Sequence, residues 1–356
     1  MNFIPTEEQQ MLRDSVRRWA ASDRGTGSAW PHFAEMGWLM AALPEGAGGL
    51  GGGLEAGAVI AEELGRGLVP DPYVDIAIVA AQLLLKMAPD RVAGIADGTF
   101  RPILAHDEAE ARGDPAWVRT RAVGSGDEWR LTGRKTGLVG LADADTLLVS
   151  AVAEGHGLTL FELTVGAAAL KRYDTVDRRV GGELILDGTP AAPIGPLGQA
   201  EPALLHARDC ALVLESAEAV GGMAHVLQLT RDYLLTRKQF GRPIGDFQAL
   251  RHRLADMFIH LEQARALVVR GVAALDDPSP RERSRIAAAT KARAAQAAAY
   301  VGANGIQLHG GIGVTEEYPV GHYFRRFTAF AQRHGSGEVQ IERFAALSQP
   351  QQRAVA

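Results

Sequence analysis

The spacing of hydrophobic positions changes period twice along this chain. Near the start, Met11, Leu12, Val16 and Trp19 recur at helical spacing, which predicts a helix with these four on one buried face. Pro5-Thr6-Glu7-Glu8-Gln9 ahead of them reads as a start signal, with Thr6 as N-cap and Gln9 placed to close a capping box. Further helices are expected at about 30–40, 54–64 and 76–85. The glycine-dense stretch 46–53 lacks the Gly-Lys-Ser/Thr ending of a phosphate loop and the strand that precedes a dinucleotide fingerprint. It is expected to be a plain interhelical turn.

From about 100 to 200 the period shortens to two. Apolar residues alternate with polar ones at 101–105, 129–132, 146–150, 158–161 and 183–186, with Gly and Asp between the segments. A small all-β domain, a sandwich or a barrel, is expected there. Beyond 200 the helical period returns. Leu250, Leu254, Met257, Leu261, Ala264, Val268 and Leu275 alternate steps of four and three, with Gly271 in the missing step. That seam predicts a helix packed at a shallow angle in a bundle. Asp276-Asp277-Pro278 ends it, and Ser279-Pro280-Arg281-Glu282 starts another, with Ser279 as N-cap and Glu282 closing a capping box. The alanine-rich run at 287–303 suits close helix contact or a subunit interface. The pattern therefore predicts an α+β architecture: an N-terminal helical domain (1–99), a central β-domain (100–200) and a C-terminal helical bundle (201–356).

Composition narrows the function classes. The chain has 356 residues, 47% hydrophobic and 22% charged, enough to bury a sizeable core. A net charge of −5 with no basic run argues against a nucleic-acid partner. No metal site is expected. No apolar run is read as approaching the ~20 residues that span a bilayer, and Met1-Asn2-Phe3-Ile4-Pro5 leads into a charged helix rather than a signal peptide. The single cysteine, Cys210, excludes an internal disulfide. It fits a reducing, cytoplasmic location and a buried role.

Two motifs carry the candidate chemistry. The first is Arg237-Lys238-Gln239-Phe240-Gly241-Arg242-Pro243-Ile244, running through Phe247-Gln248. The second is Gln307-Leu308-His309-Gly310-Gly311-Ile312-Gly313, followed by Tyr318-Pro319-Val320. Arg237 can pair with a phosphate through a planar fork of donors, and Gln239 can add a neutral hydrogen bond. Phe240 can cover an aromatic or apolar surface. Gly310 and Gly311 let backbone N–H groups approach a ligand without a Cβ clash. Alone, Arg237 and Lys238 would equally suit a helix C-terminus, where cations complement the dipole. His309 reads as a packing residue in the turn.

Together the two motifs resemble those of the acyl-CoA dehydrogenase family, and the three-block organisation is similar over essentially the whole chain. The resemblance implies an FAD between the β-domain and the C-terminal helices of one subunit, with its pyrophosphate and adenosine reaching a neighbour. Arg237, Gln239, Phe240, Gln248, Gln307, Gly310 and Gly311 would be this chain's contribution to a neighbour's FAD. The implied reaction is α,β-dehydrogenation of an acyl-CoA thioester, with an electron-transfer flavoprotein as acceptor.

Three departures from the family pattern matter. The family's catalytic Glu is matched by His334, within Arg333-His334-Gly335-Ser336-Gly337-Glu338. A second branch places the base on the helix before the Arg-Lys motif, where this chain has about Ala211. The flavin-side Thr-Glu-Pro and Trp-Ile-Thr/Ser segments are replaced by Leu104-Ala105-His106-Asp107-Glu108-Ala109 and Lys135-Thr136-Gly137-Leu138-Val139-Gly140. These departures, the stretch from Ala105 to Arg112, the run Gly321-His322-Tyr323-Phe324-Arg325-Arg326 and the short length resemble small subunits of two-component acyl-CoA dehydrogenases, pimeloyl-CoA dehydrogenase among them. The expectation is a subunit that supports a homologous catalytic partner, as α2β2, without a base of its own. Two alternatives stand beside it: a self-sufficient homo-oligomer using His334 as base, with Glu338 as substitute, and a non-enzymatic acyl-CoA binder. An unprotonated imidazole can act as a base near neutral pH.

Overall fold

The structure is a computed structural model that describes residues 6–22 and 27–349. Met1 to Pro5, including the proline of the start signal, lie outside the described residues. Three blocks follow one another in the predicted order: helices, strands, helices.

The first block comprises α1 (Glu7–Ala20), α2 (Trp30–Glu35), α3 (Gly53–Arg66), a π-helical turn (Val74–Ala80) running into α4 (Ala81–Met87), and the short α5 (Ala93–Ala96). Thr6 caps α1 and the Thr6–Gln9 capping box is closed. Val16 is buried, with Leu12 and Trp19 packed against the core. Met11, expected on the same face, is instead 72% exposed. It sits about 100° around the helix from Leu12, while α1 packs on α3 and, through Trp19, on the aromatic rings of His32, Phe33 and Trp38. The helix expected to reach residue 40 stops at Glu35, because Gly37 turns left-handed at φ 69° and breaks the ladder. Residues 46–53 form the expected turn between helices.

The second block is one sheet of β1 (Pro102–Ala105), β2 (Arg121–Ser125), β3 (Glu128–Val139), β4 (Thr146–Ala153), β5 (Gly157–Thr164), β6 (Ala169–Asp174) and β7 (Val180–Ile194). The order β4-β2-β3-β7-β5 returns to β4 through the β4–β5 pairing, so the sheet closes into a barrel. β1 lies parallel to β4 and β6 flanks β7. The two strands that the pattern misses are β2 and β6. Both are almost wholly exposed, with one buried residue in β2 and none in β6, so neither alternates in hydropathy.

The third block is built around α6 (Glu201–Thr236). A two-residue hairpin of β8 (Lys238–Gln239) and β9 (Arg242–Pro243) leads to α7 (Gln248–Ala274), α8 (Pro280–His309), α9 (Val320–Gln332) and α10 (Gly337–Ser348). The predicted seam of α7 is buried from Met257 to Leu275, and half-buried at Leu250 and Leu254. Ser279 caps α8 through the Glu282 N–H. The expected capping box does not close, because the Ser279 N–H donates to Asp277 and the Glu282 carboxylate accepts from Arg285.

α6 packs against α3, α7, α8 and α9. At Gly221 a Cβ would fall 1.7 Å from the Glu62 carbonyl oxygen, so only glycine lets α3 approach this closely. The sequence reading of no membrane-length apolar run is corrected here: α6 is long and apolar enough by composition, yet 78% of its apolar window is buried inside the bundle. It is a core helix.

Candidate functional site

The two sequence motifs meet at one end of the bundle. Arg237 caps the C-terminus of α6. Phe240 (φ 54°) and Gly241 (φ 78°) form the two-residue tip of the β8–β9 hairpin, both with the positive φ of a type I′ turn. Phe240 is 90% exposed. Gln239 donates only to the neighbouring Lys238 carbonyl, and Arg237 has no ion pair among the described residues. Gln248 opens α7 and Gln307 closes α8, both exposed. Arg253 hydrogen-bonds to Asn304, which holds those two helix ends side by side. Gly310 at φ 66° ends α8, and a Cβ at Gly310 or Gly311 would meet open space. His309 is buried; its ring stacks near Tyr233 and Tyr318, and its Nδ1 lies 2.7 Å from the Gly305 carbonyl, the packing role expected. This end therefore presents a free guanidinium, three amides, an aromatic ring and bare backbone, the donor set that suits a dinucleotide's pyrophosphate and adenine.

His334 lies elsewhere. It touches Glu215, which sits about six turns up α6 from Arg237, roughly 33 Å along the axis. The exposed motifs and His334 therefore lie far apart along α6. Between the barrel and the C-terminal helices is a cavity of about 740 Å³, lined by Asp107, Thr136, Tyr173, Arg179, Arg333 and His334 among others. This is where the resemblance puts a flavin. Its barrel wall is Thr136-Gly137-Leu138, with no indole, and Tyr173 is its one aromatic ring besides the His334 imidazole.

His334 occupies the left-handed region at φ 57°, a conformation that costs a non-glycine residue about 1–2 kcal/mol. Its Nε2 donates to Glu215 Oε1 at 3.1 Å, and its Nδ1 lies 3.4 Å from Asp107 Oδ2. Arg333 Nη1 reaches Glu215 at 2.8 Å and Nη2 reaches Asp75 at 2.5 Å. Arg208 pairs with Asp107 at 2.7 Å. The buried Lys291 stands 3.7 Å from Glu215 Oε2 and donates to the Phe330 carbonyl. Burial opposes charge on Glu215, but Arg333, His334 and Lys291 outweigh it and hold the carboxyl well below the usual range. Asp107 is likewise held well below, by Arg208 and His334 against its burial. Burial pushes Lys291 down to about 7. Both ring nitrogens of His334 thus face carboxylates. Ala211, the second candidate position for a base, is fully buried. Glu338 bonds to Ser336 at the exposed start of α10.

The segment that replaces the flavin-side motif builds a buried network within the barrel. His106 Nε2 donates to the Pro115 carbonyl at 2.9 Å, so Nδ1 accepts from Ser150 at 2.8 Å. Lys135 donates to Ser150, to Glu108 and to the His106 carbonyl. Burial pushes the His106 imidazole down to about 4. The unfolded chain protonates this ring below about 6.5 while the folded chain does not. Stability is therefore unaffected above that pH and falls as pH drops from 6.5 towards 4. We expect wild type to lose about 1–3 kcal/mol over that window through this group, and His106→Gln to show a shallower slope in denaturant unfolding at pH 7 and 4.5. Equal slopes would exclude the assignment.

Sequence reasoning missed Asp75, Asp107, Arg208, Glu215 and Arg333 as members of the site. One signal was available: Glu215 follows Ala211 by four residues, so it occupies the same helix face one turn on.

Comparisons with known proteins identify the family and the fold. Residues 6–92 match the family model described as acyl-CoA dehydrogenase, N-terminal domain, and residues 212–348 match acyl-CoA dehydrogenase, C-terminal domain. Acyl-CoA dehydrogenase IpdE2 of Mycobacterium tuberculosis is 33% identical over 348 residues, covering 93% of this chain and 94% of that one. Among solved structures, a variant of the steroid ACAD Tcur3481-Tcur3483 aligns at TM-score 0.86 with 33% identity, covering 96% of this chain and 97% of that chain. The ChsE4-ChsE5 complex from Mycobacterium tuberculosis aligns at TM-score 0.85 with 26% identity, covering 98% and 100%.

Proposed function

Given that this chain belongs to the acyl-CoA dehydrogenase family, we propose that it is the supporting subunit of a two-component, FAD-dependent acyl-CoA dehydrogenase. The observation that carries this reading is His334. It stands where the family's base is expected, with Nε2 committed to Glu215 and Nδ1 facing Asp107. A general base must present a free lone pair to the proton it removes; with Nε2 bonded to Glu215, the lone pair of the neutral ring is on Nδ1, which faces the Asp107 carboxylate and not an open approach for substrate. The self-sufficient reading would require Nδ1 to turn from Asp107 to the substrate while Glu215 holds Nε2.

Two of the structural relatives are paired proteins, Tcur3481-Tcur3483 and ChsE4-ChsE5, which supports a homologous partner, in an α2β2 assembly. Bound FAD would supply the acceptor for the hydride leaving the β-carbon of the acyl thioester. This chain's part is positional. Arg237 holds a phosphate through its fork, Gln239, Gln248 and Gln307 offer amide hydrogen bonds, Phe240 covers the adenine or a partner's apolar surface, and the open backbone at Gly310 and Gly311 approaches the pyrophosphate. The acceptor after FAD is proposed to be an electron-transfer flavoprotein, and the location cytoplasmic, in keeping with the single buried thiol of Cys210.

Co-expression with a complete family member tests the reading. The purified complex is expected to carry one FAD per pair of chains, read from its flavin absorbance, while the chain alone is colourless. An isolated chain that holds stoichiometric FAD and oxidises an acyl-CoA would overturn it.

A further inference from the structure

Behind the ion cluster lies a second, almost closed void. Its walls are apolar: Val79, Ile103, Leu138, Val139, Leu204 and Ala211. Its neck towards the large cavity is charged, made by Asp75, Asp107, Arg208, Arg333 and His334. An apolar pocket entered from beside the base position has the form of an acyl-chain site. Here its open volume is about 30 Å³, room for one or two waters and no hydrocarbon chain.

Each charge at the neck is matched by an opposite one. Asp75 pairs with Arg333, Arg333 and His334 with Glu215, His334 with Asp107, and Asp107 with Arg208. The series draws on every block of the fold: Asp75 from the helical turn before α4, Asp107 from the loop after β1, Arg208 and Glu215 from α6, and Arg333 and His334 from the loop before α10. Opening the neck would separate the buried Arg208 and Glu215 and the half-buried Asp75, Asp107 and Arg333 from their nearest opposite charges, which is unfavourable. A Gly335 left-handed at φ 89° packs against Gly113, with a would-be Cβ 3.5 Å from the Gly113 Cα, and holds the loop down over the neck.

We infer that the ion chain Asp75–Arg333–Glu215–His334–Asp107–Arg208 seals this chain's own acyl pocket, so that the thioester of the assembly is bound by the partner subunit alone. The inference rests on the supporting-subunit reading, and the labelling rates and the flavin stoichiometry are read separately.

Ala211 lines the void, and Cys210 is the chain's only thiol. Replacing both (Cys210→Ser with Ala211→Cys) puts a single reporter thiol behind the seal. In the complex with its partner, methyl methanethiosulfonate should modify this position at least about 100-fold more slowly than in the denatured chain, read by peptide mass spectrometry. Adding Asp75→Asn should raise the rate tenfold or more with the fold intact by circular dichroism. If that variant does not fold, Arg333→Lys replaces it. A thioether analogue of an acyl-CoA should leave the slow rate unchanged. Rapid modification with the neck intact, protection by the analogue, or no acceleration in a folded neck variant would each overturn the seal. Flavin stoichiometry is measured separately, so a failed seal and a failed partner reading give different results.

Discussion

Glu215→Ala is expected to lower the unfolding free energy by about 3–5 kcal/mol, the usual effect of removing one partner from a buried ion pair. The carboxylate is 3% exposed and stands among Arg333, Lys291 and His334. Without it, the Arg333 guanidinium loses a partner, and Lys291, already pushed down to about 7 by burial, loses the carboxylate that favours its charged form. Glu215→Gln keeps the volume and one hydrogen bond but not the charge, and should be intermediate or nearly as severe. Arg91→Ala is the useful contrast. It breaks a bidentate pair with Glu162 at the surface, where ion pairs contribute about 0–1 kcal/mol. Guanidinium unfolding of the three variants reads the difference. A Glu215→Ala midpoint as near wild type as that of Arg91→Ala would mean that the cluster contributes no net stability.

The second large effect falls on the cofactor and leaves the fold alone. In the assembled complex, Arg237→Ala should weaken FAD binding by about 10–100-fold, the effect of losing a hydrogen bond to a charged group worth about 1.5–3 kcal/mol. Arg237→Lys keeps the charge but loses the planar fork, so affinity should recover only in part. Because Arg237 is exposed and makes no ion pair among the described residues, the melting temperature of the apo-protein should not move. FAD release followed by flavin fluorescence gives the affinities. Unchanged affinity in Arg237→Ala would remove this end of the bundle from the cofactor site. A fall in apo-protein stability alongside the loss would show instead that Arg237 has a structural role.

The two effects belong to opposite ends of α6, and this separation gives the chain its character. The exposed end carries an almost complete set of groups for a phosphate and an adenine, with nothing in the chain itself to receive them. The inner end carries a cavity whose base position is held between carboxylates. The ions around that position tie the N-terminal helices, the barrel and the bundle together.

Local sequence determined a good deal. Thr6 and Ser279 capped their helices as written, since a cap depends on residues within one turn. The α7 seam and the five alternating strand segments appeared where their periods placed them, because amphipathic elements record in their own pattern which face is buried. The exposed motif residues were legible for a related reason: each lies in a short contiguous run whose conformation is set by its own glycines and prolines. What only the tertiary structure decided involves residues far apart in sequence. Met11 is exposed because no element among the described residues covers that side of α1. β2 and β6 were invisible because an exposed strand carries no alternation. Above all, the role of His334 rests on Asp107 and Glu215, more than a hundred residues away. No local pattern marks a charge whose partner is chosen by packing, and it is that partner, rather than the imidazole itself, that closes the site.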